Sequence, residues 1–408
     1  MHTSKSDPGS HRPRVVLATR TFLPEPLAAA LRLGALSSAL ARTGARVRVL
    51  TSRSPGQDAW SAPAGVEVHR AAVLRDATGA VRGYVPYMSF DVPLFVRLLT
   101  MPHADVVVNE PPPTTGVVTR LACGLRRIPC VYFAGDIVSD AAQAQGTSGV
   151  VVAVVRAMER FALRGAAEVV AVSQGVADRV GAISGRGAVV VPNGIDTSAG
   201  LPSTRVPPAG FPGGGGPVFL YAGTVAPWLG AEIFLQAWPR VRRTLPEATL
   251  VYLGQGGGWE SLVEQAAGFP GVVMHDAVPP DRVGEWYAAA DVALASLRPG
   301  GYDYAYPTKI LSALAQGTPV VYAGEGTARD DVRDNQLGIA AVFGVDEVAH
   351  AMVELATVPA GDPRRDRERL FAWVDGNRSV RESSARVAQV VLRVAERGRG
   401  RLRAPALR

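Results

Sequence analysis

Of the 43 basic residues in this chain, 41 are arginine, and the two lysines are Lys5, in the polar opening stretch, and Lys309. A compact ammonium kept at one place in an arginine-rich chain points to a task that a guanidinium does not fill. Lys309 lies in Tyr302-Asp303-Tyr304-Ala305-Tyr306-Pro307-Thr308-Lys309-Ile310-Leu311-Ser312. Pro307 suits the first turn of a helix, which would leave the amides of Thr308 and Lys309 unpaired at its start. Those amides, the helix dipole and the ammonium together favour an anion such as a diphosphate. If that diphosphate is a leaving group, the same donors stabilise the charge that builds as the bond breaks. The plainer alternative is a surface loop whose tyrosines pack on a sheet.

Three other places carry groups that could do chemistry. Gly254-Gln255-Gly256-Gly257-Gly258 follows a strand and precedes a helix, where exposed amides could cradle phosphate. A dinucleotide fingerprint needs glycine at its sixth position, which is Trp259 here, although Asp276 falls near the place of a ribose-binding acid; a tight structural turn is the simpler reading. Asp136 ends a strand and could hold an acceptor hydroxyl, or could cap the following helix. Glu110 stands in a similar position ahead of the stiff run Pro111 to Pro113. The six histidines are scattered, with no pair at metal-ligand spacing, so no metal site is expected. Cys123 and Cys130 read as core residues.

The elements that must position these groups follow a repeating pattern. Arg14–Thr19, Arg46–Thr51, Asp105–Val108, Pro129–Phe133, Glu168–Val172 and Ala188–Val191 read as short apolar strands. A second series follows at Pro217–Tyr221, 248–253, Gly271–His275, Asp291–Ala295 and Pro319–Tyr322. Helical spacing separates them, as at 28–43, 230–244 and 307–316. Strands apolar throughout and alternating with helices indicate parallel sheets covered on both faces. The expected fold is α/β, with two doubly wound Rossmann-like domains facing a cleft. The reading assigns 1–13 to a disordered leader, 14–200 to the first domain and 201–216 to a Gly/Pro linker. It assigns 217–375 to the second domain and 376–408 to a final helix with a basic tail. Ligands of such sheets bind outside the carboxyl ends of the strands. Those ends carry Arg20, Glu110, Asp136 and Ser173 in the first half, and Gly223-Thr224, His275-Asp276 and Arg298 in the second.

Size and composition set the outer limits. At 408 residues, 47% hydrophobic and 19% charged, the chain has ample material for full cores. Residues 1–200 carry 21 basic and 14 acidic side chains, 201–375 carry 13 and 20, and 376–408 carry 9 and 2. A basic half attracts phosphates or an anionic membrane surface. Tyr84, Tyr87, Met88, Phe90, Leu94 and Phe95 beside arginines form a segment expected to seat peripherally on anionic lipid, or else an ordinary buried helix. No basic run is interleaved with aromatics, so nucleic acid is not an expected partner. No secretory signal is evident at the start and no apolar run is long enough to span a membrane, so the expected compartment is the cytoplasm.

Several segments together resemble a known family. Val172-Ser173-Gln174-Gly175, Val191-Pro192-Asn193-Gly194-Ile195-Asp196, Phe219-Leu220-Tyr221-Ala222-Gly223-Thr224, Asp291-Val292-Ala293-Leu294, Pro307-Thr308-Lys309 and Ala313 to Val321 are similar to glycosyltransferases of the GT-B fold, most of all to the retaining family 4. The resemblance runs from Val15 to about Val390. It implies a nucleotide sugar, UDP- or GDP-linked, on the second domain, and a small-molecule or lipid-linked acceptor on the first. It implies transfer with retention, no bound metal and no other cofactor, and a final helix that returns to the first domain. Donor residues are then expected at Gly223, Thr224, His275, Val278, Tyr306, Thr308, Lys309 and Ser312, and acceptor residues at Arg20, Arg32, Glu110 and Asp136. Lys309 and Asp136 are the expected catalytic pair.

The chain departs from the family's pattern at several of these places. Two glutamates eight positions apart are replaced by Tyr304 and Ser312, and an arginine and a lysine by Thr224 and Leu229. The first-domain glycine loop is replaced by Leu27-Ala28-Ala29. A histidine that often precedes the acceptor-side aspartate is missing, while Asp136 remains. This matches a sub-pattern with Pro307-Thr308-Lys309 in the diphosphate loop, in which Lys309 is expected to supply the charge lost elsewhere. The departures also leave open a non-catalytic partner subunit of the same fold. A dinucleotide-dependent enzyme using the Gly254 loop is a third reading.

Overall fold

The computed structural model describes residues 12–25, 27–54, 60–75, 81, 83–144, 146–300 and 305–403. The expected leader, except for its last two residues, and Tyr302 to Tyr304 lie outside these. The chain forms two compact units, one of residues up to 172, 176–192 and 383 onwards, the other of 173–175 and 193–382.

In the first unit, β1 (Arg14–Ala18), β2 (Arg46–Ser52), β3 (Val66–Ala71), β4 (Val106–Asn109), β5 (Cys130–Ala134), β6 (Glu168–Ala171) and β7 (Val189–Val190) form one sheet. Their order is β3-β2-β1-β4-β5-β6-β7, with every pairing parallel. The order reverses between β1 and β4, so the crevice for a ligand opens at their carboxyl ends, where Thr19-Arg20 and Asn109-Glu110 stand. β1, β4, β5 and β6 are almost wholly buried, because helices cover both faces and every side chain meets a core. The last helix, Val380–Arg403, belongs to this unit from residue 383 on. Arg399 anchors it with two bonds to Asp105, at 2.8 and 2.9 Å. Asp105 also accepts from the Arg14 amide at 2.7 Å, so this ion pair is tied to the start of β1.

The second unit has β8 (Val218–Thr224), β9 (Thr249–Gln255), β10 (Val272–Asp276), β11 (Val292–Ser296), β12 (Val320–Ala323) and β13 (Gly338–Ala341), in the order β10-β9-β8-β11-β12-β13 and again all parallel. Successive residues of each strand enter opposite cores. Phe219, Tyr221, Leu250 and Tyr252 pack with Trp238 on one face, and Leu220, Ala222, Val251 and Leu253 with Trp286 on the other. The Gly/Pro stretch 201–216, expected to link the domains, lies within this unit. Phe211 packs on Trp286 at 5.7 Å, and a Cβ on Gly216 would fall 2.2 Å from the Glu247 carbonyl oxygen. The stretch is thus held against the unit by one aromatic anchor and one close backbone approach.

The sheet order reverses between β8 and β11. Their register holds only at Phe219↔Val292 and Leu220↔Ala293. β8 continues on its other side, paired with β9 as far as Thr224↔Gln255. Beyond Leu220, β8 and β11 therefore separate, and a cavity lies in the gap between their carboxyl ends.

Candidate functional site

A cavity of about 460 Å3 occupies that gap. Ala222, Gly223 and Thr224 at the end of β8 line it, with Gln255 at the end of β9 and Val278 after β10. Leu297 closes it beyond β11, and Tyr306, Pro307, Thr308, Lys309 and Ser312 form its far wall. Pro307 caps the helix Thr308–Leu314 from outside rather than filling its first turn, with φ −67° and ψ 109°. That helix has seven residues, so its dipole is small and the positive charge of the cavity rests on Lys309.

Lys309 is built in an unusual way. Its helix packs with Leu220 and Ala222, on one face of the sheet, yet its ammonium lies 3.6 Å above the ring centre of Tyr221, which belongs to the opposite core. The side chain passes over the end of β8 at Gly223. A Cβ there would stand 3.6 Å from Lys309 Cε and 3.7 Å from Nζ, and Gly223 has φ +126°, where a side chain is strained. The ammonium is sealed from solvent and has no hydrogen-bond partner among the described residues. Burial pushes its pKa down from 10.5 to about 7. A desolvated cation without an anion is costly. A diphosphate entering the cavity would remove that cost.

Of the other expected donor residues, Gly223, Thr224, Val278, Tyr306, Thr308 and Ser312 share this cavity with Lys309. The Ser312 hydroxyl donates to the Thr308 carbonyl at 3.3 Å, a bond a ligand could displace. His275 is not among the lining residues. Its ring packs edge-on against Trp286 at 4.8 Å, and its Nδ1 is 2.7 Å from the Asp276 carbonyl oxygen. The Gly254 run also has a structural task. A Cβ on Gly254 would meet the Trp259 ring at 2.5 Å, the Gly258 amide donates to Val225 at 3.2 Å, and Asp276 accepts from Trp259 Nε1 at 3.1 Å. Sequence reasoning missed Trp228, Tyr287 and above all Tyr221, because a tyrosine within a buried strand looks like any core residue.

In the first unit, Glu110 is nearly fully buried. Its carboxylate accepts from Thr19 Oγ1 at 2.8 Å and from Arg32 Nη2 at 3.0 Å. Arg32 also lies over the Phe133 ring at 4.9 Å, close enough to Gly135 that a Cβ there would fall 2.5 Å from its Nη2. Arg20 is separate. It donates to the Val81 carbonyl at 2.9 Å and lies 4.0 Å from the Tyr87 ring centre, and burial lowers its pKa. Asp136 follows β5 and accepts from the Ile137 amide at 2.7 Å, just ahead of the helix Val138–Ala144. Of the four expected acceptor residues, then, Arg32 and Glu110 are bonded directly, while Arg20 and Asp136 make contacts of their own.

A profile described as "glycosyl transferases group 1" matches residues 216–357, and one described as "glycosyl transferase 4-like domain" matches 28–194. The chain belongs to the family 4 type glycosyltransferases of the GT-B fold. The family 4 chain is 32% identical over 172 residues to the D-inositol 3-phosphate glycosyltransferase of Xylanimonas cellulosilytica, a match covering 38% of this chain. It spans 39% of that relative's length. Its fold superposes on sucrose-phosphate synthase from Thermosynechococcus elongatus with a TM-score of 0.72 at 16% identity, covering 95% of this chain and 100% of that one. It also superposes on the catalytic domain of starch synthase IV from Arabidopsis thaliana bound to ADP and acarbose, with a TM-score of 0.70 at 13% identity, over 95% of this chain and 100% of that one. Among the described residues of this chain, no helix is long and apolar enough to cross a membrane.

Proposed function

We propose that the protein transfers a glycosyl group from a nucleotide sugar, UDP- or GDP-linked, to an acceptor hydroxyl, with retention of configuration and no metal or other cofactor. The observation that carries this reading is Lys309, a lining residue of the second-unit cavity whose buried ammonium has no hydrogen-bond partner among the described residues. The donor diphosphate pairs with it, and as the glycosidic bond breaks the ammonium takes up the developing charge. Ser312 supplies a neutral hydrogen bond where the family usually has a carboxylate. The ADP in the starch synthase structure supports a nucleotide in this fold. The test is to supply donor and acceptor hydroxyl and read the anomeric coupling of the product by proton NMR. The donor's own configuration is expected; the inverted product, or no transfer from any donor, contradicts the reading. The missing glutamate and cation positions favour a non-catalytic subunit in that last case.

The acceptor is held by the first unit, near Asp136 and the Arg32–Glu110 pair. Because Glu110 already balances Arg32 at 3.0 Å, this floor suits a hydroxyl better than a second phosphate. The acceptor is read as a lipid-linked or secondary-metabolite intermediate, met at an anionic membrane surface. The surface that supports this is broader than the segment expected from sequence, since Phe90 and Leu94 are buried core residues. Helices Tyr84–Thr100, Pro113–Arg126 and Gly149–Gly165 pack side by side, and their only carboxylates, Asp91 and Glu159, are buried. Their outer sides expose Val92, Val96, Leu121, Leu125, Val154 and Phe161 among arginines, an apolar and cationic face suited to anionic lipid. The protein is expected to float with vesicles of 30 mol% phosphatidylglycerol, and the double variant Leu121→Glu/Leu125→Glu is expected to stay in solution. Wild type left entirely in solution would remove the membrane from the account.

A further inference from the structure

We propose that the ring of Tyr221 is the seat that holds the Lys309 ammonium at the carboxyl end of β8, which makes Tyr221 a positioning residue for the donor diphosphate. The inference rests on the reading of Lys309 given above and extends it to a residue buried in the strand behind the cavity.

The geometry is specific. The ammonium lies 3.6 Å from the ring centre, and among the described residues no hydrogen bond holds it there. The electron-rich ring face is therefore what attracts it, and such attraction strengthens where water is excluded. The ring itself is fixed. Tyr221 is fully buried, its hydroxyl donates to the Thr224 carbonyl at 2.9 Å, and its faces and edges pack against Tyr252 at 5.6 Å and Phe234 at 6.1 Å. Gly223 leaves the lysine room to reach it. A lysine has four rotatable bonds and much rotamer freedom to lose. Seating its head on a fixed ring removes that freedom before the donor arrives.

Among the described residues, the charged and titratable groups around this seat are few. Tyr221 on β8, Tyr287 on the helix Val283–Ala289 and Tyr306 ahead of Pro307 face it or share its cavity, and burial raises the pKa of all three, so they are neutral near pH 7. Glu232 acts on Tyr221 from the helix Glu232–Thr244, but is itself paired with Arg298. Among the described residues no carboxylate is paired with Lys309, which leaves the ring as the group that favours its charged form.

The chain's two lysines make the test direct. Protein carrying lysine labelled with 13C at Cε gives two lysine signals, one from Lys5 and one from Lys309. In wild type the Lys309 signal is expected upfield of Lys5 because of the ring current, and to titrate near neutral pH. Tyr221→Phe keeps the ring and should keep both properties, with kcat/KM for the donor within about threefold of wild type. Tyr221→Met removes the ring. It should erase the upfield shift and lower the titration midpoint by about one pH unit. The alkaline limb of the kcat/KM profile should move with it, with about a tenfold loss at pH 7.5. A wild-type Lys309 signal without an upfield shift overturns the proposal even if the Met variant fails to fold. So does a Tyr221→Met midpoint that stays in place or rises. Adding UDP and GDP separates this from the donor reading: a Lys309 signal sensitive to Tyr221 but to neither nucleotide keeps the seat and removes the donor.

Discussion

Lys309→Met is expected to lower kcat by about 10²–10³-fold, the range found when one group that stabilises developing negative charge is removed. The same change should raise the thermal midpoint at pH 6. Burial holds the Lys309 pKa at about 7 in the folded protein against an ordinary 10.5. For a lysine with a lowered folded pKa, the unfolded chain binds the extra proton between those two values, so stability rises with pH across that window. Below pH 7 both states are charged, and the buried ammonium costs stability on the order of a few kcal/mol. Methionine has a similar length and no charge, so it relieves that cost. Its gain over wild type should be largest below pH 7 and shrink as the pH approaches 10.5. Calorimetry at several pH values, with single-turnover kinetics, checks both halves. A variant that is fully active, or destabilised at pH 6, contradicts the assignment.

Gly223→Val should weaken donor binding at least tenfold and lower stability by about 1–3 kcal/mol, the cost of a side chain forced into a sparsely allowed backbone region. At φ +126° a β-branched residue is strained, and its methyls extend from a Cβ already 3.6 Å from Lys309 Cε. They would push the ammonium off the Tyr221 ring. Gly223→Ala places only the Cβ, at ordinary contact distance, so its stability cost should persist while most donor binding returns. Denaturant unfolding and calorimetric titration of the two variants separate strain from obstruction. Equal donor affinity in wild type and Gly223→Val would show that the end of β8 does not meet the donor.

Much of the fold was legible because parallel strands buried on both faces are apolar throughout, as in Val106-Val107-Val108 and Val292-Ala293-Leu294. Two of the four edge strands, β3 and β13, were not. β3, Val66-Glu67-Val68-His69-Arg70-Ala71, exposes alternate residues and breaks the apolar run. β13 is only four residues, Gly338-Ile339-Ala340-Ala341, and its Gly338 is pressed against Val320, where a Cβ would fall 1.9 Å from the carbonyl oxygen. In the site, the grouping of Gly223, Thr224, Thr308 and Lys309 followed from strand-end logic and from the scarcity of lysine. His275 shows the limit of that logic. It lies at a strand end, yet its ring is packed against Trp286. Glycine runs mislead in the same way, since Gly254 is small to admit the Trp259 ring. Tyr221 was not legible, because its partner reaches it from the opposite face of the sheet.

In the proposed reaction a nucleotide sugar binds the second-unit cavity through Lys309. Calorimetric titration of wild type and Lys309→Met with UDP-, GDP-, dTDP- and ADP-sugars tests it most directly. One nucleotide class, UDP or GDP, is expected to bind wild type and to lose at least tenfold in affinity with the variant, because the charge-assisted contact is gone. Equal affinity for both proteins, or no binding of any donor to wild type, would contradict it.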